Sequence, residues 1–172
     1  MQRMNDPEVR YPYIPVGRGI KYVPADNKFM ESAREICKTR STDRNHPTGS
    51  VIARDGAVIG RGANQAAIRH SWAVAAHKKF CIRRMFGIKT GKSYWLCPGC
   101  ASPKSHSEQR AIIDAKKHYG NIAGADLYLW GHWWCCESCW NAVIGAEICN
   151  VYLMDGSEHL FNKDNPDNAV GK

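Results

Sequence analysis

Apolar and polar positions alternate along this chain in two distinct rhythms. The apolar residues Phe29, Ala33, Ile36 and Cys37 recur at helical spacing, which predicts a helix capped by Asp26 or Asn27 and running to about Arg40. From Thr48 to Asn64 the pattern becomes two apolar runs about Asp55-Gly56, which predicts a β-hairpin. The run Ala66–Phe86 then reads as helical and leads into a loop bearing glycine and lysine. A further helix is expected from Ser105 or His106 to about His118, a strand at Ala125–Trp130, a helix from near Cys136 to Gly145, and a strand at Asn150–Asp155. Alternating strands and helices predict an α/β three-layer sandwich. The expected organisation is an extended, proline-bearing N-terminal arm over 1–25, one domain over 26–161, and a loose polar tail over 162–172.

Composition narrows the class. The chain has 172 residues, 44% hydrophobic and 23% charged, which suits one globular domain. No apolar stretch is long enough for a membrane helix and no signal-peptide core is seen, so a cytoplasmic protein with no membrane partner is expected. Without a secretion signal, its eight cysteines suggest metal and reduced thiols rather than disulfides. Charge is unevenly placed. No acidic residue occurs between Asp55 and Glu108, whereas Arg61, Arg69, Lys78, Lys79, Arg83, Arg84, Lys89, Lys92 and Lys104 do. Such a block suits phosphate, on a nucleotide or along a nucleic-acid strand, and a solvated basic face without a partner is the plainer alternative.

The chemistry concentrates in His106-Ser107-Glu108 and Cys136-Glu137-Ser138-Cys139. His106, Cys136 and Cys139 form a three-ligand zinc set, which leaves a tetrahedral ion one open position, the arrangement of catalytic zinc. Glu108 is not needed as a ligand and is free to move protons to and from a water. If both motifs open helices, both helix N-termini aim positive partial charge at the metal. Cys135 complicates the set: with Cys139 it offers a shifted ligand pair, or as a fourth sulfur it closes the open position, although a packed thiol is the simpler reading.

A second constellation is His77 and Cys81, four apart on the expected helix, with Cys97 and Cys100 in a Cys-Pro-Gly-Cys knuckle. These four suit a closed structural zinc, with His70 able to stand in for His77; a core thiol and a reactive surface pair are the alternative. Trp133 and Trp134 fall just before the ligand cysteines and can either stack a base or fill the core, while His132 reads as an ordinary loop residue. Asn64, at the end of the hairpin, offers a donor and an acceptor to a ligand.

The segments KFMESAREICKTRSTDR, GSVIARDGAVIGRGAN, HSEQRAII and ADLYLW…CCESC…AEICNVYLMD, over most of residues 28–155, resemble the deoxycytidylate deaminase branch of the zinc-dependent cytidine deaminase-like superfamily. The His-x-Glu and Cys-x-x-Cys pair is the signature of zinc nucleobase deaminases, with Cys135 where proline is usual. The resemblance implies a mixed five-stranded sheet between helices, zinc-dependent hydrolysis of an exocyclic amine, and a homo-oligomer. It implies His106, Cys136 and Cys139 as zinc ligands, Glu108 as proton shuttle, Asn64 as a substrate-binding residue, and a second zinc near Cys81, Cys97 and Cys100. The expected substrate is a cytosine nucleotide, foremost dCMP. A deaminase of single-stranded DNA or RNA, and a closed, zinc-stabilised nucleic-acid-binding module, are the alternatives.

Overall fold

A computed structural model describes residues 12–43, 45–68, 70–88 and 93–170, at Lys78 and Tyr94 the backbone alone. Arg69, Lys89 and Lys92 of the basic block lie outside the described residues. Five strands, β1 (Ile20–Val23), β2 (Gly49–Arg54), β3 (Ala57–Ala63), β4 (Asp126–Trp130) and β5 (Asn150–Met154), form one sheet in the order β1-β5-β4-β2-β3. β1, β5 and β4 run parallel, and β2 and β3 continue the sheet antiparallel. The sheet is therefore mixed, as the resemblance implied.

Period-two side-chain alternation builds the three layers. Ile52, Leu127, Leu129, Val151 and Leu153 face one core, shared with helices α4 (Ser107–Tyr119) and α5 (Glu137–Gly145). Val51, Ala53, Tyr128 and Met154 face the other, shared with α1 (Lys28–Arg40). Asn27 caps α1 by accepting from the Phe29 and Met30 amides. The hairpin turns at Asp55 and Gly56, both at positive φ (52° and 77°), as a tight two-residue turn requires. α4 lies so close on the hairpin that a Cβ on Gly62 would overlap the Ser107 carbonyl and the Ala111 amide.

Three expectations change. The helix expected over Ala66–Phe86 is two, α2 (Ser71–Lys79) and α3 (Ile82–Met85), broken at Phe80-Cys81 so that Cys81 turns inward. Residues 20–23 of the expected arm pair with β5 as the edge strand, because Ile20 and Val23 each have a core face to fill. A short α6 (Ser157–Phe161) precedes the tail, and the tail folds back: the Ala169 amide donates to the Leu160 carbonyl, and Val170 packs on the core beneath α1.

Candidate metal centre and catalytic cavity

His106 precedes α4 and Cys136 precedes α5, each in extended backbone as the residue before the first helical turn. Both helix starts converge on one point. His106 Nδ1 lies 3.4 Å from Cys136 Sγ and 3.4 Å from Cys139 Sγ. Zinc bonds of about 2.3 Å to sulfur and about 2.05 Å to nitrogen give a tetrahedral S–N edge of about 3.6 Å, so the donor set fits the ion. Hydrogen bonding to Cys139 and burial push the Cys136 thiol up, and hydrogen bonding to Cys135 with burial outweighs the lowering hydrogen bond of Cys136 to leave Cys139 well above the usual thiol range. Packed thiols that resist ionisation by themselves are what a divalent cation relieves. Burial works against protonation of His106, but Cys136, Glu108 and Asp43 outweigh it and hold its pKa above the ordinary value.

Glu108 is buried beside this trio. Ser50 Oγ donates to Ser107 Oγ at 2.8 Å, and Ser107 Oγ donates to Glu108 Oε2 at 3.0 Å. Cys135 Sγ donates to Oε1 at 3.7 Å, and burial keeps that thiol protonated, its pKa pushed up to about 12. Cys135 groups with Glu108 and Cys139, and not with the His106, Cys136 and Cys139 trio. Its sulfur thus faces the carboxylate.

His77, Cys81, Cys97 and Cys100 also meet. Cys81 Sγ lies 4.0 Å from Cys97 Sγ and 3.6 Å from Cys100 Sγ, and Cys100 Sγ lies 3.5 Å from His77 Nε2. Gly99 lets the knuckle close, because a Cβ there would overlap the His77 ring. Burial lowers the His77 pKa, which favours the neutral, ligating imidazole. Its other nitrogen, Nδ1, meets the Asn45 amide at 3.2 Å, an outer partner able to orient the ring. His70 is the exposed residue before α2 and takes no part in the cluster.

One cavity of about 580 Å³ joins these parts. Its wall includes His106, Glu108, Cys136, Asn64, Trp133 and Trp134 from the sequence-derived set. Asn64 is largely committed to the fold: Oδ1 accepts from Ser41 Oγ (2.6 Å) and the Thr48 amide (2.9 Å), and Nδ2 donates to the His46 carbonyl (2.7 Å). Trp134 is nearly buried in the core and Trp133 packs against both cores. Of the basic block, Arg83 and Arg84 reach the cavity, whereas Arg61 lies on β3 in a separate depression with Asp114 and His118.

Sequence reasoning missed three parts of the wall. Lys163 lines the cavity from the tail, donating to the Asn45 carbonyl at 2.7 Å. Burial lowers its pKa, with Asp43 pulling the other way. His46 and His132 stack with ring centroids 4.6 Å apart and planes 7° from parallel, and both line the cavity. Asp43 anchors this region, accepting from the Asn45 and His46 amides through Oδ1 and from the Ala101 amide through Oδ2. The one signal available was the density of polar residues in Ser41–His46, just before the hairpin.

Residues 24–155 match the family profile described as the cytidine and deoxycytidylate deaminase zinc-binding region. No curated protein shows a significant sequence match. Among solved structures, the dCMP deaminase from cyanophage S-TIM5 in complex with dCMP and dUMP is 18% identical, covering 73% of this chain and 79% of that one at a TM-score of 0.48. Guanine deaminase from Bacillus subtilis is 22% identical over 79% of this chain and 70% of that one, TM-score 0.45. A structure from a study of A-to-I editing by tRNA:A34 deaminases is 23% identical over 74% and 75%, TM-score 0.44.

Proposed function

The chain belongs to the cytidine and deoxycytidylate deaminase zinc-binding family, and on that premise we propose that it hydrolyses the exocyclic amine of a cytosine nucleotide, foremost dCMP, to give dUMP and ammonia. Zinc-dependent deamination is the family's chemistry; the substrate is our assignment. His106, Cys136 and Cys139 would hold the ion, which when bound acidifies a water and polarises the reacting centre. Glu108 takes one proton from the water and delivers it to the ring nitrogen beside the amine, and then carries the second, from the hydroxyl added to the base, to the departing ammonia. Ser107 and Cys135 hold the carboxylate in place through its two oxygens. His77, Cys81, Cys97 and Cys100 would hold a second, structural zinc.

One observation carries the nucleotide reading. The cavity that has His106, Glu108 and Cys136 in its wall also has Arg83, Arg84 and Lys163 there. A neutral base and an anionic phosphate each then have chemistry to meet within one pocket. Among the described residues no helix is long and apolar enough to cross a membrane, and our reading is of a cytoplasmic homo-oligomer.

A second reading has its own observation. Trp72, Phe80, Phe86 and Trp95 are each at least 68% exposed, within the stretch that has no acidic residue. Exposed aromatics among basic residues suit stacking on single-stranded DNA or RNA. The test is to incubate zinc-loaded protein with dCMP, CMP, deoxycytidine and a cytosine-containing single strand, following ammonia and the uracil product. Turnover of dCMP that is lost in Glu108→Ala supports the first reading. Turnover of the strand alone, falling steeply with salt, supports the second.

A further inference from the structure

We propose that the stacked His46–His132 pair reads the base, with His132 Nε2–H donating to the 2-carbonyl of the pyrimidine and His46 positioning the His132 ring. This rests on the cytosine-nucleotide reading and assigns its base specificity to two residues that the motifs do not include.

The tautomers follow from the hydrogen bonds. His132 Nδ1 accepts from the Trp133 amide at 3.0 Å and the Trp134 amide at 3.3 Å, so the ring's proton sits on Nε2. His46 Nε2 meets the Gly131 carbonyl at 3.1 Å and must donate there. Both rings are neutral. Burial, aided by Lys163, takes the His46 pKa down to about 3, and burial with His46 and His106 nearby takes that of His132 well below its ordinary value. The stack on His46 and a T-shaped contact with Trp134, centroids 4.4 Å apart and planes at 77°, fix the plane of His132.

His132 Nε2 has no hydrogen-bond partner among the described residues. Among the described residues, the buried side-chain nitrogen and oxygen atoms left without one are Trp140 Nε1 and Ser157 Oγ. An unpartnered Nε2–H outside that pair, on a ring lining the cavity, opens onto the cavity. A cytosine whose amine and ring nitrogen are engaged by the deamination machinery has one polar group left, its 2-carbonyl, and that group needs a donor. Asn64 already has both Oδ1 acceptances and one Nδ2 donation in use within the fold. Arg83, Arg84 and Lys163 are cations suited to phosphate. A neutral, fixed N–H binds a carbonyl without drawing phosphate into the base site.

The test compares kcat/KM for dCMP and 2-thio-dCMP, whose sulfur is a poor acceptor, in wild type, His132→Phe and His46→Phe, with zinc content checked in each. Wild type should favour the oxygen substrate by about tenfold. His132→Phe should lose that preference by slowing dCMP alone, and His46→Phe should reduce it. An equal fall for both substrates, or an unchanged preference, overturns the inference. A measurement on the unaltered protein guards against a misfolded variant: dUMP added to ¹⁵N-histidine-labelled protein should shift the His132 Nε2–H resonance, and no shift overturns the inference as well. If wild type turns over neither substrate, the cytosine-nucleotide reading fails and takes this inference with it.

Discussion

The Cys135 thiol faces the Glu108 carboxylate, Sγ 3.7 Å from Oε1. A residue adjacent to a zinc-ligand candidate thus touches the proposed proton shuttle instead of the candidate metal trio. Cys135→Ala should keep its zinc at the wild-type stoichiometry and lose about fivefold in kcat, the worth of one weak hydrogen bond. Metal analysis beside steady-state kinetics checks this; loss of a zinc would make Cys135 a ligand.

The two His/Cys clusters predict two zinc ions per chain. Cys139→Ser should abolish turnover and leave one ion, and Cys100→Ser should also leave one. A chelator should lower the melting temperature, since metal held only by the folded chain stabilises it by mass action. Metal counting in the two variants and a thermal melt with chelator decide it.

Lys163 should act on the phosphate. Lys163→Met is expected to raise KM for dCMP about tenfold or more while leaving kinetics on deoxycytidine nearly unchanged. Equal effects on both substrates would remove Lys163 from the phosphate's surroundings.

Acid should destabilise the protein partly through His46. Its folded pKa of about 3 lies below the unfolded 6.5, so its contribution is fully present above pH 6.5 and is lost as pH falls toward 3. The loss is at most about 1.4 kcal/mol per pH unit in that window. Urea midpoints between pH 7 and pH 4.5 should fall less steeply in His46→Phe than in wild type.

Gly62 lies beneath the start of α4, where a methyl group would meet the helix backbone at Ser107 and Ala111. Gly62→Ala should destabilise by about 2 kcal/mol or more, because backbone cannot swing aside as a side chain can. It should also lower kcat, since α4 carries Glu108 in its first turn. A urea melt and an activity assay test the two effects separately.

The sheet and its covering helices were legible because each of these elements has one strong period. Asn27, the Asp55-Gly56 turn and the two ligand motifs are local signals, and each acts within a few residues of itself. The break at Phe80-Cys81 was not legible, because it exists to bring Cys81 to partners at 97 and 100, a tertiary demand that periodicity does not register. His46 and His132 are 86 positions apart, and their stack depends on Gly131 and Asn64 holding two loops together. Lys163 was hidden for a similar reason. A polar tail carries no pattern that announces what it folds against.

The fold-back of that tail bears on how the protein is made. His106, Glu108, Cys136 and Cys139 all precede the residues Phe161–Asp164 that complete the cavity wall. During synthesis the candidate metal ligands and Glu108 leave the ribosome first, into a site still open on one flank. The pocket acquires its final shape only when α6 and the turn after it have emerged.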